Sequence, residues 1–461
     1  MSAADGTRPR PRAWIRRGTR HRREVRQLIA AALLLALSLT AFAVVCRLVP
    51  LPMADIVVYR AEGVAAATGG DLYGFTVTKW HLPATYPPFA ALVFLPTTWL
   101  TVGALKAASV VANTALLALL IHLSYKVAHH RPGRPGPRTG SPRQARTQRI
   151  PRTPRTPRTL SMVLAATALG LWLEPVFQTF AFGQVNLALA CLVLWDFSRP
   201  DGARFKGLAI GIAAGIKLTP ALFAVYLLIT GRIRAAFTAL AGFLLSVLLG
   251  LLVLPDASVE FWTRRMFETG RIGKVWIVDN QSLQGALARL LHTPAPGAVW
   301  PAVALLTAVA GLIVAREVHR RRGLDSWGLL CTAVTAVLVS PISWSHHWVW
   351  CVPLLVTLGA YTRRVRWRRA LLVAVAVAFT ARSMWILPHL GFRALHLPWW
   401  QQPLASPYVV LGPAVLAAVA WWTWRRPVRT VRPATSPARR VPESAVPRPV
   451  PRPRPDHELS T

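Results

Sequence analysis

Long apolar stretches punctuated by short clusters of arginine run through most of the chain, and their lengths predict its elements. The first, 28–45, follows a basic leader and lacks a small-residue cleavage site, so it reads as a retained span over about 28–47. A second span is expected at about 103–123, and six more at about 235–254, 299–315, 326–340, 347–361, 370–387 and 409–424. The stretch 89–100 is apolar but short and interrupted by Pro96, which predicts a re-entrant or interfacial helix. Between 160 and 230 the apolar pieces shrink to 160–173, 185–197, 204–216 and 220–230. Each falls short of the ~20 residues a straight span needs, so they are read as two hairpins with tips at 174–184 and 217–219. Broken helices at membrane depth require backbone that is covered by protein or faces a wet cavity. The pattern therefore predicts an all-α polytopic membrane protein of about twelve membrane segments, some short or re-entrant, around a solvated cleft with outward-facing loops.

Charge sets the orientation. The chain carries 54 Lys+Arg against 17 Asp+Glu, a net +37, which in a soluble protein would suggest nucleic acid. Here the basic clusters at 8–26, 126–158, 199–206, 232–234, 316–322, 363–369 and 425–454 alternate with base-poor connections, as the positive-inside rule requires. The basic side is expected against anionic lipids of the cytoplasmic leaflet, and no nucleic-acid partner is expected. The domain reading is a basic cytoplasmic N-terminus at 1–27, a membrane domain at 28–424 and a disordered basic tail at 425–461. An Arg/Pro-rich linker at 129–158, with Pro-Arg-Thr repeated, interrupts the membrane domain. Tryptophans such as Trp80, Trp99, Trp344, Trp348, Trp399 and Trp400 fit an interfacial belt. Cys46, Cys191, Cys331 and Cys351 lie in or beside apolar runs and suggest neither a disulfide nor a metal site.

Polar chemistry gathers in the base-poor connections. Lys217 stands between two apolar pieces in Gly-Ile-Lys-Leu-Thr-Pro (215–220). An ammonium at membrane depth costs at least ~2.5–3.5 kcal/mol, so it either snorkels to the nearer interface or lines a wet cavity with an anionic partner. Asp55 follows the first span in Ala-Asp-Ile-Val-Val-Tyr-Arg (54–60). A half-desolvated carboxylate there suits a general base, and an aspartate before an apolar helix equally suits an N-cap. The amides of Phe-Gly-Gln-Val-Asn (182–186) could bind a sugar or phosphate, or tie the hairpins together. Arg271 in Arg-Ile-Gly-Lys, with Asn-Gln-Ser-Leu (280–283) after it, suggests a phosphate site on the base-poor side. The pair His346 and His347 in Ser-Trp-Ser-His-His-Trp (343–348) could donate to a phosphate or relay protons. The absence of a DxD in the outer loops, of GxGxxG and of a P-loop argues against nucleotide-sugar and ATP chemistry.

These motifs occur in one order. Asp55 with Tyr59, Thr-Tyr-Pro-Pro (85–88), Phe-Gly-Gln-Val-Asn, Lys-Leu-Thr-Pro, Asn-Gln-Ser-Leu and Ser-Trp-Ser-His-His-Trp together resemble the family-87 glycosyltransferases, helical-bundle membrane enzymes of the GT-C class, over about 28–396. The resemblance implies an inverting, metal-independent hexosyltransferase without cofactors. It would take mannose from a polyprenyl-phosphate donor to a hydroxyl of a glycolipid or lipoglycan acceptor on the outer face of the plasma membrane. It also implies Asp55 as general base, Lys217 and His346 or His347 as donor-phosphate contacts, and Tyr59 in the sugar pocket. Arg271, Tyr86, Gln184, Asn186, Asn280 and Gln281 complete the expected site. A polyprenyl-phosphate arabinose or glucose donor, a lipid-linked-sugar flippase and a basic membrane scaffold are the competing readings.

Overall fold

In the computed structural model the described residues are 12–49, 51–129, 156–362, 365–388 and 391–425. Two long helices, α1 (Arg12–Leu48) and α2 (Ala54–Thr68), open the chain. A two-stranded antiparallel ribbon, β1 (Thr76–Val77) with β2 (Leu82–Pro83), pairs Thr76 with Pro83 and leads to α3 (Pro88–Phe94). Next come α4 (Val102–His129), α5 (Thr156–Gly170), α6 (Glu174–Phe182), α7 (Asn186–Phe197), α8 (Leu208–Ile216), α9 (Ala221–Ile229) and α10 (Ile233–Val253). The remainder comprises α11 (Pro255–Thr263), α12 (Leu283–Leu290), α13 (Val299–Arg322), α14 (Asp325–Val339), α15 (Cys351–Thr362), α16 (Arg366–Ala378), α17 (Gln402–Ala405) and α18 (Pro407–Arg425).

The all-α membrane reading holds. Six of the described helical stretches are long and apolar enough to cross a bilayer: His21–Leu48 within α1, α4, α10, α13, Arg366–Ile386 and α18. A seventh crossing is possible if α5 and α6, bent by 76° at a short break, count as one. The expected total of about twelve is not reached by full-length helices, because α7, α8, α9 and α14 stop well short of a straight span. Large apolar side chains such as Leu244, Leu248 and Leu252 of α10 stay exposed, as lipid-facing positions do. Of the expected linker and tail, 130–155 and 426–461 lie outside the described residues, as does 1–11 of the basic N-terminus.

Small residues let the short helices approach. Gly207, Gly211 and Gly215 fall four apart on one face of α8, and a β-carbon there would overlap the backbone of Ala235 and Ala239 and the side chain of Ser246 on α10. This close crossing packs α8, only nine residues long, against α10. The chain then breaks over Lys217–Pro220 and reverses into α9, as the expected hairpin tip requires. At the other tip the structure differs: residues 174–182 are helical, and only Gly183–Val185 turns. Gly183 needs to be glycine, since its φ is +71° and a β-carbon would sit 2.7 Å from that of Ile56.

Two tryptophans depart from the interfacial belt. Trp80, Trp99, Trp399 and Trp400 are exposed, whereas Trp348 is buried and its indole N–H donates to the Gln281 carbonyl at 3.1 Å. Trp344 lines the main cavity. The four cysteines are free.

Candidate active site

One cavity of about 610 Å³ gathers most of the polar residues named from the sequence. Its walls come from the start of α2, the loop before α3, the turn after α6, the α8–α9 break, the segment after α11 and the segment after α14.

Asp55 lies in the first turn of α2, where the positive helix end favours an anion. The N-cap itself is Met53, with no side-chain cap, so Asp55 is not spent on capping. Met53 instead ties its backbone N–H to the Ala181 carbonyl at 2.7 Å, pinning α2 to the end of α6. Helical periodicity then places Asp55, Tyr59 and Glu62 on one face. Gln184 organises this face. Its carbonyl oxygen accepts from Tyr59 (2.9 Å), Tyr86 (3.2 Å) and Asn186 (3.4 Å), which turns its amide N–H₂ toward Asp55 Oδ2 at 2.5 Å. Burial raises the Asp55 pKa to about 6; the Gln184 bond and the Lys217 charge oppose the rise, and the Asp279 charge adds to it. A carboxylate poised there is a competent base near neutral pH.

Lys217 turns inward rather than snorkelling. Its ammonium donates to Asn186 Oδ1 at 3.1 Å and to His347 Nε2 at 2.9 Å, and lies 5.5 Å from the Tyr86 ring centre. Because an ammonium only donates, His347 Nε2 is the acceptor and its ring proton sits on Nδ1. Asn186 therefore joins the two halves of the site: it accepts from Lys217 and donates to Gln184, the partner of Asp55. The two histidines have different surroundings. His347 is engaged by Lys217, whereas buried His346 lines the cavity with neither ring nitrogen hydrogen-bonded. No protein group among the described residues competes for its donor and acceptor.

Other expected residues sit elsewhere. Arg271 lines the cavity, but its guanidinium is occupied by the backbone carbonyls of Ala84 and Arg265 and by the face of Tyr73. It braces the wall before α3. Asn186 lies behind Lys217 and off the main cavity. Asn280 and Gln281 do not line it either, contrary to expectation. Both are fully buried and spend their amides on backbone: Asn280 bonds Val275, Pro341 and Ser343, and Gln281 bonds Val278, Ala405 and Tyr408. They splice the segment after α11 to the segment after α14, as the isolated bridge between Asn280 and Trp344 also does.

Two acids escaped the sequence reading. Asp279 lines the cavity and accepts from the Ser345 backbone N–H at 3.1 Å. Its position next to Asn-Gln-Ser-Leu, in a chain poor in acids, was the available signal. Glu62 is buried at 1% exposure with one carboxyl oxygen unpaired, and burial pushes its pKa to about 8. Among the described residues no group of three or more His, Cys, Asp or Glu side chains is arranged to hold a metal ion.

The model for glycosyltransferase family 87 matches residues 84–341 of the chain. A Mycobacterium tuberculosis protein named polyprenol-phosphate-mannose-dependent α-(1-2)-phosphatidylinositol mannoside mannosyltransferase is 34% identical over 398 residues, covering 83% of this chain and 88% of that protein. A second M. tuberculosis protein, named for the corresponding pentamannoside activity, is 31% identical over 414 residues, covering 86% and 87%. A Mycolicibacterium smegmatis protein with the first name is 32% identical over 379 residues, covering 79% and 83%. No solved structure matches the chain.

Proposed function

The chain belongs to glycosyltransferase family 87, and from that membership we propose that it moves a mannosyl unit from a polyprenyl-phosphate donor to a hydroxyl of a phosphatidylinositol-mannoside-type glycolipid. It is a hexosyltransferase, as its relatives are. One observation carries the residue assignment: Asp55 and Lys217, far apart in sequence, line a single cavity and are linked through Gln184 and Asn186.

In the proposed reaction the Asp55 carboxylate takes the proton of the acceptor hydroxyl as its oxygen bonds to the anomeric carbon. On the opposite face the bond from that carbon to the phosphate oxygen breaks, and the polyprenyl phosphate leaves with the bonding pair. The Lys217 ammonium meets the departing anion, His347 fixes the ammonium, and His346 offers a ring N–H to the phosphate. A single displacement inverts the anomeric centre, so a β-linked donor yields an α-linkage. Tyr59, Tyr86 and Gln184 hold the base and shape the sugar end.

The reading places the cavity on the outer face of the plasma membrane. Its support is the run of α7, which starts beside the cavity at Asn186 and reaches Asp196 about 15 Å away, among Arg199, Lys206 and Arg232. That basic end of α7 would then lie on the cytoplasmic side.

The test is transfer by purified protein in lipid nanodiscs, with phosphatidylinositol mannosides as acceptors. Polyprenyl-phosphate mannose, the arabinose and glucose analogues and a nucleotide-linked mannose are supplied in parallel. Rapid transfer only from polyprenyl-phosphate mannose is expected. A preference for either analogue would replace the sugar assignment, and movement of lipid-linked sugar across the bilayer without transfer would replace the reaction.

A further inference from the structure

Asp279 is the second carboxylate of the cavity, and the reaction written above gives it no task. It is 9% exposed and lines the cavity wall. One oxygen is anchored by the Ser345 backbone N–H at 3.1 Å, and among the described residues no Lys, Arg or His lies within ion-pair distance of it. A buried anion without a counter-charge is costly unless donors satisfy it. The protein nevertheless holds it rigidly. Immediately after it, Asn280 donates to the Val275 carbonyl at 2.9 Å and accepts from the Ser343 N–H at 2.9 Å, Ser282 Oγ donates to Pro341 at 2.9 Å, and Arg289 donates to the Ile277 carbonyl at 2.9 Å. Two fully buried polar side chains, Asn280 and Ser282, and a fully buried arginine thus brace the backbone that presents one acid to the cavity.

A carboxylate only accepts hydrogen bonds, so whatever satisfies it must donate. The donor phosphate is an anion and would be repelled. The donors left on both substrates are sugar hydroxyls, and a carboxylate's two oxygens match an adjacent pair of them. Resting on the mannosyl-transfer reading, we propose that Asp279 recognises the pyranose by accepting from ring hydroxyls, either those of the transferred mannose or those of the acceptor's terminal sugar. Asp55 and Asp279 then divide the work, one taking a proton and the other holding hydroxyls.

The experiment pairs Asp279→Asn and Asp279→Ala with deoxy substrates. Donors and acceptors lacking one hydroxyl at a time are assayed for kcat/KM with wild type and both variants in nanodiscs, and each preparation is checked by thermal melting. Asparagine keeps the shape and can still accept from Ser345, so it guards against misfolding. Against native substrates the variants are expected to lose about 10–100-fold, the loss typical of a hydrogen bond to a charged group. One deoxy donor or one deoxy acceptor should cost wild type the same factor and cost the variants nothing further. Sensitivity confined to the donor series assigns the transferred sugar, and sensitivity confined to the acceptor series assigns the acceptor. If every deoxy penalty is the same in wild type and folded variants, Asp279 holds no hydroxyl and the proposal is wrong although the function stands. A wild-type chain that transfers no mannose overturns the functional reading and this one together.

Discussion

The two ends of the short helices α7, α8 and α9 treat charge in opposite ways. At one end the buried charges have partners. Arg232 pairs with Asp325 at 2.8 Å, His319 reaches the same carboxylate at 2.8 Å, Lys206 pairs with Asp201 at 3.0 Å, and Asp196 accepts twice from the Gly207 N–H. At the cavity end Asp55 and Asp279 lack ion pairs among the described residues, Lys217 leans on an amide and an imidazole, and neither ring nitrogen of His346 has a partner. Satisfied charges hold helices in place; unsatisfied ones with access to a cavity are available to a substrate. On the proposed reading the same residue types serve structure at one end and chemistry at the other.

The comparison can be broken most forcefully at Lys217. Lys217→Met should reduce transfer by about 10²–10³-fold, the scale of removing one group that stabilises developing charge, with little change in melting temperature. A loss of folding instead would place Lys217 with the structural charges. The pH profile comes next. The Lys217 ammonium, whose pKa burial lowers to about 7, must stay charged, so activity should fall above about pH 7. A base must be deprotonated to act, so with Asp55 at about 6 activity should also fall about tenfold per unit below pH 6. Three neighbours set this limb: Gln184 and Lys217 lower the pKa, and Asp279 raises it. Asp279→Asn should therefore move the limb to lower pH, read from rate profiles in the same nanodiscs.

At the paired end the sign reverses. Arg232→Ala should cost about 2–3 kcal/mol of stability, less than a fully buried pair because Asp325 keeps 22% exposure, while kcat per folded molecule stays within about twofold. Denaturant or thermal melting in detergent, paired with the transfer assay, separates the two effects. The smallest effect is expected at Glu62. With a pKa of about 8 its carboxyl is mostly protonated at neutral pH, so Glu62→Gln should change stability by less than about 1 kcal/mol. A large loss would mean that the residue is ionised in the folded protein.

The membrane character was legible because an apolar run near twenty residues matches the thickness of a bilayer core and is seldom needed in a soluble fold. The number of crossings was not, since α7, α8 and α9 are too short for length to decide, and the glycine face of α8 packs closely on α10. Asp55 and Lys217 stood out because a charge amid apolar residues demands a reason. Asn280 and Gln281 were misplaced for the converse reason: an amide binds a sugar and a backbone carbonyl with the same atoms, and only burial tells them apart. Glu62 was missed because its place below Asp55 and Tyr59 emerges only once α2 is folded as a helix.

Central to the account is that Asp55 removes a proton rather than holding the donor. Donor binding and single-turnover transfer by Asp55→Asn, measured on one nanodisc preparation with radiolabelled polyprenyl-phosphate mannose, address this directly. Donor affinity within about threefold of wild type and transfer slowed by about 10²–10⁴-fold are the predicted result. Transfer at the wild-type rate, or loss of transfer only in proportion to loss of donor binding, would contradict it.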